Sequence, residues 1–281
     1  MEVSCRVCGH PETRRRFTKG GADILRCAGC RAEFWVPDAS MSMSDFYSRQ
    51  YFEGITSAGY EDYRSLEPSL RRSFARRLRV LGPGDGRRLL DLGAAYGFAL
   101  AEARLAGFEA FGLEVAADVA AEAATRSPGC VLRGSASALP LRDASFDVVT
   151  LWDVIEHLED PGAALRDAAR CLRPGGRLML TTGDVTSLAA KVSGRRWHLY
   201  TIPEHLFFFS PGSLRILLER AGLEVRGMRT DGAYYSLSYL AERLRKTVFG
   251  LGPSRTPSRS SSDLSLYVNL GDILLVDAVR A

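Results

Sequence analysis

The segment Arg88-Leu89-Leu90-Asp91-Leu92-Gly93-Ala94-Ala95-Tyr96-Gly97 constrains the fold more than any other part of the chain. An apolar strand runs into an acidic residue, two glycines follow four apart, and a helix-forming run from Phe98 to Leu105 begins. Gly93 admits a turn that a side chain would block, and Gly97 lets a ligand lie against the backbone. A loop of this kind, at the carboxyl end of a parallel strand, is where open α/β sheets hold nucleotide-like ligands.

From Arg88 onward the pattern repeats. Strand 88–92 leads to helix 97–106, strand 109–113 to helix 116–126, and short strand 130–133 follows Pro128-Gly129. Then come strand 146–151, helix 161–172 ending at Arg173-Pro174-Gly175-Gly176, and strand 177–182. A looser insert over roughly 184–209 holds most of the aromatic and His residues. Helix 211–221, strand 223–230, a helical stretch over 232–249, a Ser/Pro/Arg-rich loop from Gly252 to Asp263 and a last strand 273–279 complete the reading. Strands alternating with helices at this spacing imply a parallel sheet covered on both faces.

Upstream stand Cys5 and Cys8, then Cys27 and Cys30, two CxxC pairs with eighteen residues between them. That spacing predicts a zinc ribbon. Four thiolates satisfy the tetrahedral preference of zinc and leave no open position, so the metal is expected to be structural. The rival reading, two redox pairs, lacks the βαβ context it needs. His10 is an alternative ligand, but four thiolates already suffice and it reads as a surface residue. Cys130 and Cys171 read as small core residues. Residues 1–36 are too few to bury a core without such a staple. Between ribbon and sheet lie a linker, Pro37 to Ser44, an aromatic cluster (Phe46, Tyr47, Tyr51, Phe52) and an Arg-rich helix over 66–81 that stops at Gly82-Pro83-Gly84-Asp85-Gly86. The expected domains are therefore 1–36 (ribbon), 37–86 (linker and helices) and 87–281 (the α/β sheet).

The 281 residues carry 46% hydrophobic and 25% charged residues, ordinary for a globular chain. A net charge of +4 is too slight to argue for nucleic acid. No apolar run would span a bilayer, and the start shows no secretory pattern. A cytoplasmic protein is expected, its cysteines thiols or metal ligands.

Several ordered pieces together resemble the class I S-adenosylmethionine-dependent methyltransferases, over roughly residues 45–281. Asp91 to Gly97 is similar to their glycine-rich first loop, and Gly112-Leu113-Glu114 to the acidic end of their second strand. Ala138-Leu139-Pro140-Leu141 with Ser145 to Val149, Asp153-Val154-Ile155-Glu156-His157-Leu158, and Leu172 to Gly176 complete the set. Within the class the chain most resembles small-molecule methyltransferases of the ubiquinone-biosynthesis type, a likeness that includes Pro203-Glu204-His205-Leu206-Phe207-Phe208-Phe209-Ser210. Zinc-ribbon heads also occur among methyltransferases of sugars and bacterial metabolites. The implied fold is a Rossmann-like seven-strand α/β sheet with an antiparallel last strand, preceded by the ribbon. Two positions depart from the family pattern: Ala95 replaces the middle glycine of the first loop, and Ser135, beside Ala136, stands where an acid near the adenine amine is usual.

The resemblance implies a cofactor pocket built from Asp91, Gly93, Ala95, Tyr96, Gly97, Glu114, Ser135, Ala136 and Asp153. The residue types are suited to this. A carboxylate at Glu114 offers two oxygens to two ribose hydroxyls. Asp91 reads otherwise as a turn former and Glu114 as a surface acid. His205 is the first choice for general base or acceptor binding, His157 the second, since imidazole titrates near neutrality; each has a packing role as its alternative. Glu156 reads as a solvating or capping residue. Trp197, His198, Tyr200 and Phe207–Phe209 divide between core and substrate wall. The Arg cluster at 71, 72, 76, 77 and 79 reads as a solvated helix face. Methylation of an oxygen on a small-molecule acceptor is expected, with nitrogen or carbon as alternatives and room for a homodimer. The rivals are an RNA or protein methyltransferase that reads its target with the ribbon, a nicotinamide oxidoreductase, whose GxGxxG is missing, and a binding protein that has lost turnover.

Overall fold

The computed structural model describes residues 3–38, 63–136, 138–241 and 264–281. The aromatic cluster at 46–52, most of the linker, and the Gly252–Asp263 loop lie outside them.

The described chain forms two sheets. Strands β1 (Thr13–Lys19), β2 (Ala22–Cys27) and β3 (Glu33–Phe34) make an antiparallel ribbon. Helix α1 (Glu67–Leu78) then leads into the alternating part: β4 (Arg88–Leu92), α2 (Phe98–Leu105), β5 (Glu109–Glu114), α3 (Ala117–Arg126), β6 (Val131–Arg133), β7 (Phe146–Trp152), α4 (Pro161–Cys171), β8 (Leu172–Gly183), α5 (Leu188–Ser193), β9 (Phe207–Phe208), α6 (Pro211–Arg220), β10 (Leu223–Ser236) and β11 (Ser265–Arg280). The large sheet has seven strands in the order β10-β11-β8-β7-β4-β5-β6, and β11 alone runs antiparallel to its neighbours, as expected. The chain leaves β4 toward β5 and β6, then returns to β7 on the other side. The carboxyl end of β4 is thus the switch point at which such sheets open a ligand crevice.

Helix starts follow local chemistry. The Asp160 carboxylate accepts from the Ala163 N–H ahead of α4, with Pro161 in the first turn, and Ser210 and Ser213 cap α6 reciprocally. Strand alternation divides the core: Leu89 and Val148 pack under α1 and α2, while Leu90, Leu92 and Val149 pack under α4 and α6. No helix among the described residues is long and apolar enough to cross a membrane.

One expectation changes. The helix expected over 232–249 does not begin at 232. Residues 232–236 continue β10, with Ala233 opposite Val268 and Ser236 opposite Ser265, and only 237–241 are helical among the described residues. Tyr234 and Tyr235 favour the extended ladder. The ribbon is also joined to the rest of the molecule: β9, from the insert, pairs with β3 as its fourth strand, Glu33 opposite Phe208 and Phe34 opposite Phe207. Ile24, Phe34 and Trp35 share one apolar core with Trp197, Phe207 and Phe209.

Candidate active site

The carboxyl ends of β4, β5 and β7 bring most of the expected residues together. The Asp91 carboxylate, 2% exposed, accepts from the Thr150 hydroxyl at 2.6 Å on the adjacent strand. Burial, with a smaller push from Glu114, raises its pKa to about 7, against the Thr150 bond. Gly93 has φ +78°, and a Cβ there would stand 2.5 Å from Val154 Cγ2, so both backbone and space demand glycine. Ala95 takes up a left-handed conformation, φ 45°, where glycine would be unstrained. Gly97 opens α2 at φ +80°. Glu114 is buried, and its two carboxylate oxygens accept from the Ala95 and Ala116 N–H groups, each at 2.9 Å. It therefore pins the glycine loop and keeps lone pairs for a diol. Burial raises its pKa, opposed by those bonds.

Tyr96 is fully buried and packs against Phe98, with ring centroids 6.1 Å apart. Ser135 and Ala136 follow β6, where Gly134 N–H donates to the Glu114 carbonyl at 3.0 Å. Ser135 is exposed and Ala136 buried.

Asp153 ends β7 with φ 55°, its N–H bonded to Thr181 Oγ1 at 3.0 Å. Beyond it, Glu156 is buried and accepts from the Thr182 hydroxyl at 3.0 Å. Burial, then the charge of Asp153, raises it to about 8. The solvating role expected for Glu156 is thus wrong: it is a buried carboxyl whose ionisation burial disfavours.

His157 and His205 meet edge to face, centroids 4.6 Å apart. His157 Nδ1 donates to the Glu204 carbonyl at 3.1 Å, and burial lowers its pKa to about 4. His205 Nδ1 donates to the Leu199 carbonyl at 2.8 Å, and burial, with the neighbouring His157, lowers its pKa well below the usual value. A carbonyl can only accept, so the tautomer is fixed and the lone pair of His205 is on Nε2. One ligand atom each from Glu156, His157 and His205 lies within 4.8 Å of the other two, close enough to hold one cation.

Other expectations fail on packing. Trp197, Tyr200 and Phe207–Phe209 are at most 3% exposed and belong to the core between insert and ribbon, so they wall no open pocket. The Arg cluster is a solvated face only in part, with Arg72 and Arg79 exposed. Arg77 is buried, with Nε 2.9 Å from the buried Asp231 and Nη1 3.6 Å from Asp153, and it lies over the Trp152 ring. Arg76 also pairs with Asp231 and covers Tyr267. The reason is tertiary: α1 packs on β10, which brings the Asp231 carboxylate against the arginines. Sequence reasoning also missed Tyr63, which stacks on Phe98 at 5.8 Å. Its hydroxyl pKa is raised by burial and by Asp153, Asp91 and Glu114.

The four ribbon cysteines converge. Cys5 Sγ lies 3.6 Å from Cys30 Sγ and Cys8 Sγ 3.5 Å from Cys27 Sγ, all four within 4.8 Å. A tetrahedron with metal–sulfur bonds of about 2.3 Å has edges of about 3.8 Å, so the donor set fits zinc. Those separations far exceed the roughly 2.05 Å of a disulfide. Hydrogen bonding from Cys30 lowers the Cys5 thiol to about 5. His10 Nδ1 accepts from the Glu12 N–H at 3.1 Å and stands outside the cluster.

A family model for a methyltransferase domain matches residues 63–227. The ubiquinone biosynthesis O-methyltransferase of Cereibacter sphaeroides is 30% identical over 237 residues, 79% of this chain and 92% of that protein. The malonyl-[acyl-carrier protein] O-methyltransferase of Methylococcus capsulatus is 31% identical over 155 residues, 53% of this chain, which spans 56% of that relative's length. The crystal structure of an S-adenosylmethionine-dependent methyltransferase from Thermotoga maritima shares the fold, with a TM-score of 0.55 over 83% of this chain and 99% of that one at 21% identity.

Proposed function

The chain belongs to the methyltransferase-domain family and is an S-adenosylmethionine-dependent methyltransferase, and from that premise we propose that it methylates an oxygen of a small-molecule acceptor with His205 as general base. The observation that carries this reading is the His205 tautomer: Nδ1 is committed to the Leu199 carbonyl, so Nε2 is the proton acceptor. The names of the two relatives, a ubiquinone biosynthesis O-methyltransferase and a malonyl-[acyl-carrier protein] O-methyltransferase, support an oxygen nucleophile.

S-adenosylmethionine supplies a methyl group on a positively charged sulfur, already a strong electrophile. The chain's task is to hold, align and keep dry. The Gly93–Gly97 loop and Ala136 would line the adenosyl group, with Tyr96 supporting the loop from the buried side. Glu114 would take the ribose hydroxyls, and Ser135 would stand beside the adenine. Asp91 and Asp153 would face the cationic methionine end. Burial leaves His205 neutral at pH 7, ready to take the acceptor proton. His157 is held by the Glu204 carbonyl and supports His205 edge-on. Cys5, Cys8, Cys27 and Cys30 would hold a structural zinc with no open position.

The ribbon spends β3 on β9 and its apolar side on the shared core, which favours a small acceptor over a macromolecule read by the ribbon. A second reading of the trio rests on its spacing: Glu156, His157 and His205 would hold a divalent cation that orients the acceptor. A mass-scored screen of quinols, sugars and carboxylic metabolites, run with and without added magnesium or manganese, tests both. Methyl gain on a hydroxyl without metal supports the base. Strict metal dependence supports the cation. Methylation confined to RNA or protein would reject the small-molecule assignment.

A further inference from the structure

The segment that carries His205 is gripped from outside by the ribbon, at two places. At its start, the Tyr200 hydroxyl donates to Glu33 Oε2 at 2.5 Å. Arg16 Nη1 bonds the Tyr200 oxygen at 2.7 Å and Glu33 Oε1 at 2.5 Å, and Phe17 meets the Tyr200 ring edge-on with centroids 5.1 Å apart. At its end, Trp35 uses both of its N–H groups: the indole Nε1 donates to the His205 carbonyl at 2.8 Å, and the backbone N–H to the Leu206 carbonyl at 3.2 Å. Trp35 is 5% exposed and Phe34 beside it fully buried, so both bonds are largely shielded from water.

Between the grips, His205 is held by its own segment through N–H to the Thr201 carbonyl at 2.9 Å and Nδ1 to the Leu199 carbonyl at 2.8 Å. Among the described residues, only the Trp35 bond reaches its carbonyl from another element. Leu206 N–H then donates to the Glu156 carbonyl at 2.8 Å, which passes the same anchorage to the loop of Asp153, Glu156 and His157. Trp35 is placed in turn by the cysteine cluster. The Cys27 N–H bonds the Ala32 carbonyl at 2.9 Å, and two residues of β3 separate Ala32 from Trp35.

We propose that Trp35 is a positioning residue for His205, and that a metal held by Cys5, Cys8, Cys27 and Cys30 sets the geometry of the acceptor half of the site through it. This deepens the reading of His205 given above and rests on it for its catalytic meaning. The ribbon is then a clamp on the active-site segment, and the adenosyl half, built on β4 and β5, does not depend on it.

The test uses the full chain, zinc-loaded, and reads the histidine side chains by nitrogen–proton NMR. The chain has four histidines, and the His205 signals are assigned by their loss in His205→Gln. Trp35→Phe removes the indole N–H and keeps an apolar ring. Its His205 imidazole signals should move and its Nδ1 proton should exchange at least about tenfold faster, as expected for loss of one buried hydrogen bond, while affinity for S-adenosylhomocysteine changes less than about twofold. In the unaltered chain, withdrawing zinc should speed exchange of the Trp35 indole proton and move the same His205 signals. Unmoved His205 signals in Trp35→Phe, or an indole proton indifferent to zinc, would overturn the proposal. If Trp35→Phe does not fold, the zinc-withdrawal exchange on the unaltered chain decides alone. Full turnover by His205→Ala would remove the base role separately and leave the imidazole shifts to decide the clamp.

Discussion

His157 and His205 stand edge to face with centroids 4.6 Å apart, although one follows β7 and the other lies in the insert before β9. The contact joins the strand ends of the large sheet to the ribbon-bound segment, and the His157 imidazole adds to burial in lowering the readiness of His205 to charge. Both are neutral at pH 7, which suits one of them to accept a proton.

His205→Ala is expected to lower turnover about a hundredfold, the lower part of the range for a positioned base, because the donor is already activated. Affinity for S-adenosylhomocysteine should stay nearly unchanged. Parallel kinetics and calorimetry separate the two; unchanged turnover would take His205 out of the base role.

Removal of metal from the cysteine cluster is expected to lower thermal stability, since Cys5, Cys27 and Cys30 are buried in the core that unites ribbon and insert. Metal analysis should find close to one zinc per chain, lost in Cys27→Ser. A metal-free preparation that melts at the same temperature would contradict a structural zinc.

Asp91→Asn should stabilise the ligand-free chain in a pH-dependent way. The carboxyl is raised in the fold from 3.8 to about 7. The native state therefore binds the proton more tightly than the unfolded chain, and the wild type loses stability as pH rises through that window. The advantage of the variant should be absent near pH 4 and level off above pH 7, at a value on the order of 4 kcal/mol or less. Denaturant melts at several pH values check this; a constant difference between the two proteins would contradict the burial argument. The same variant should bind cofactor more weakly, because a cationic ligand favours the ionised form of Asp91.

Arg77→Met should destabilise, but by less than the about 3–5 kcal/mol usual for a buried charge left unpaired, because Arg76 still pairs with Asp231. Arg77→Met combined with Asp231→Leu should recover part of that loss. Denaturant unfolding of the single and double variants measures the coupling, and additive losses would show that the pair is independent.

The strand–turn–helix at Asp91–Gly97, the acid at Glu114 and the order of elements from β4 to β8 were legible because each rests on local signals: glycines at turns, period-two strands and helix breakers. The cysteine spacing likewise announced a cluster. What was not legible depends on partners far away in the chain. Strands β3 and β9 are two residues each, and nothing in either marks the other as its neighbour. Arg77 has the sequence context of a solvated face, and only the packing of α1 on β10 turns it inward. The aromatic run Phe207–Phe209 suited a pocket wall until the ribbon covered it. Burial of Glu156, which raises the pKa of its carboxyl, follows from Thr182 and the insert and has no mark of its own in the sequence.

The most direct test of the account is calorimetric titration of the full chain with S-adenosylhomocysteine and with NADH, beside Gly93→Ala. A methyl at Gly93 would meet Val154 at 2.5 Å and force a left-handed alanine, a strain of about 1–2 kcal/mol before any clash, so affinity should fall tenfold or more. The account predicts saturable one-to-one binding of S-adenosylhomocysteine to the unaltered chain, weakened in the variant, and no binding of NADH. Binding of NADH without S-adenosylhomocysteine, or equal binding by chain and variant, would contradict it.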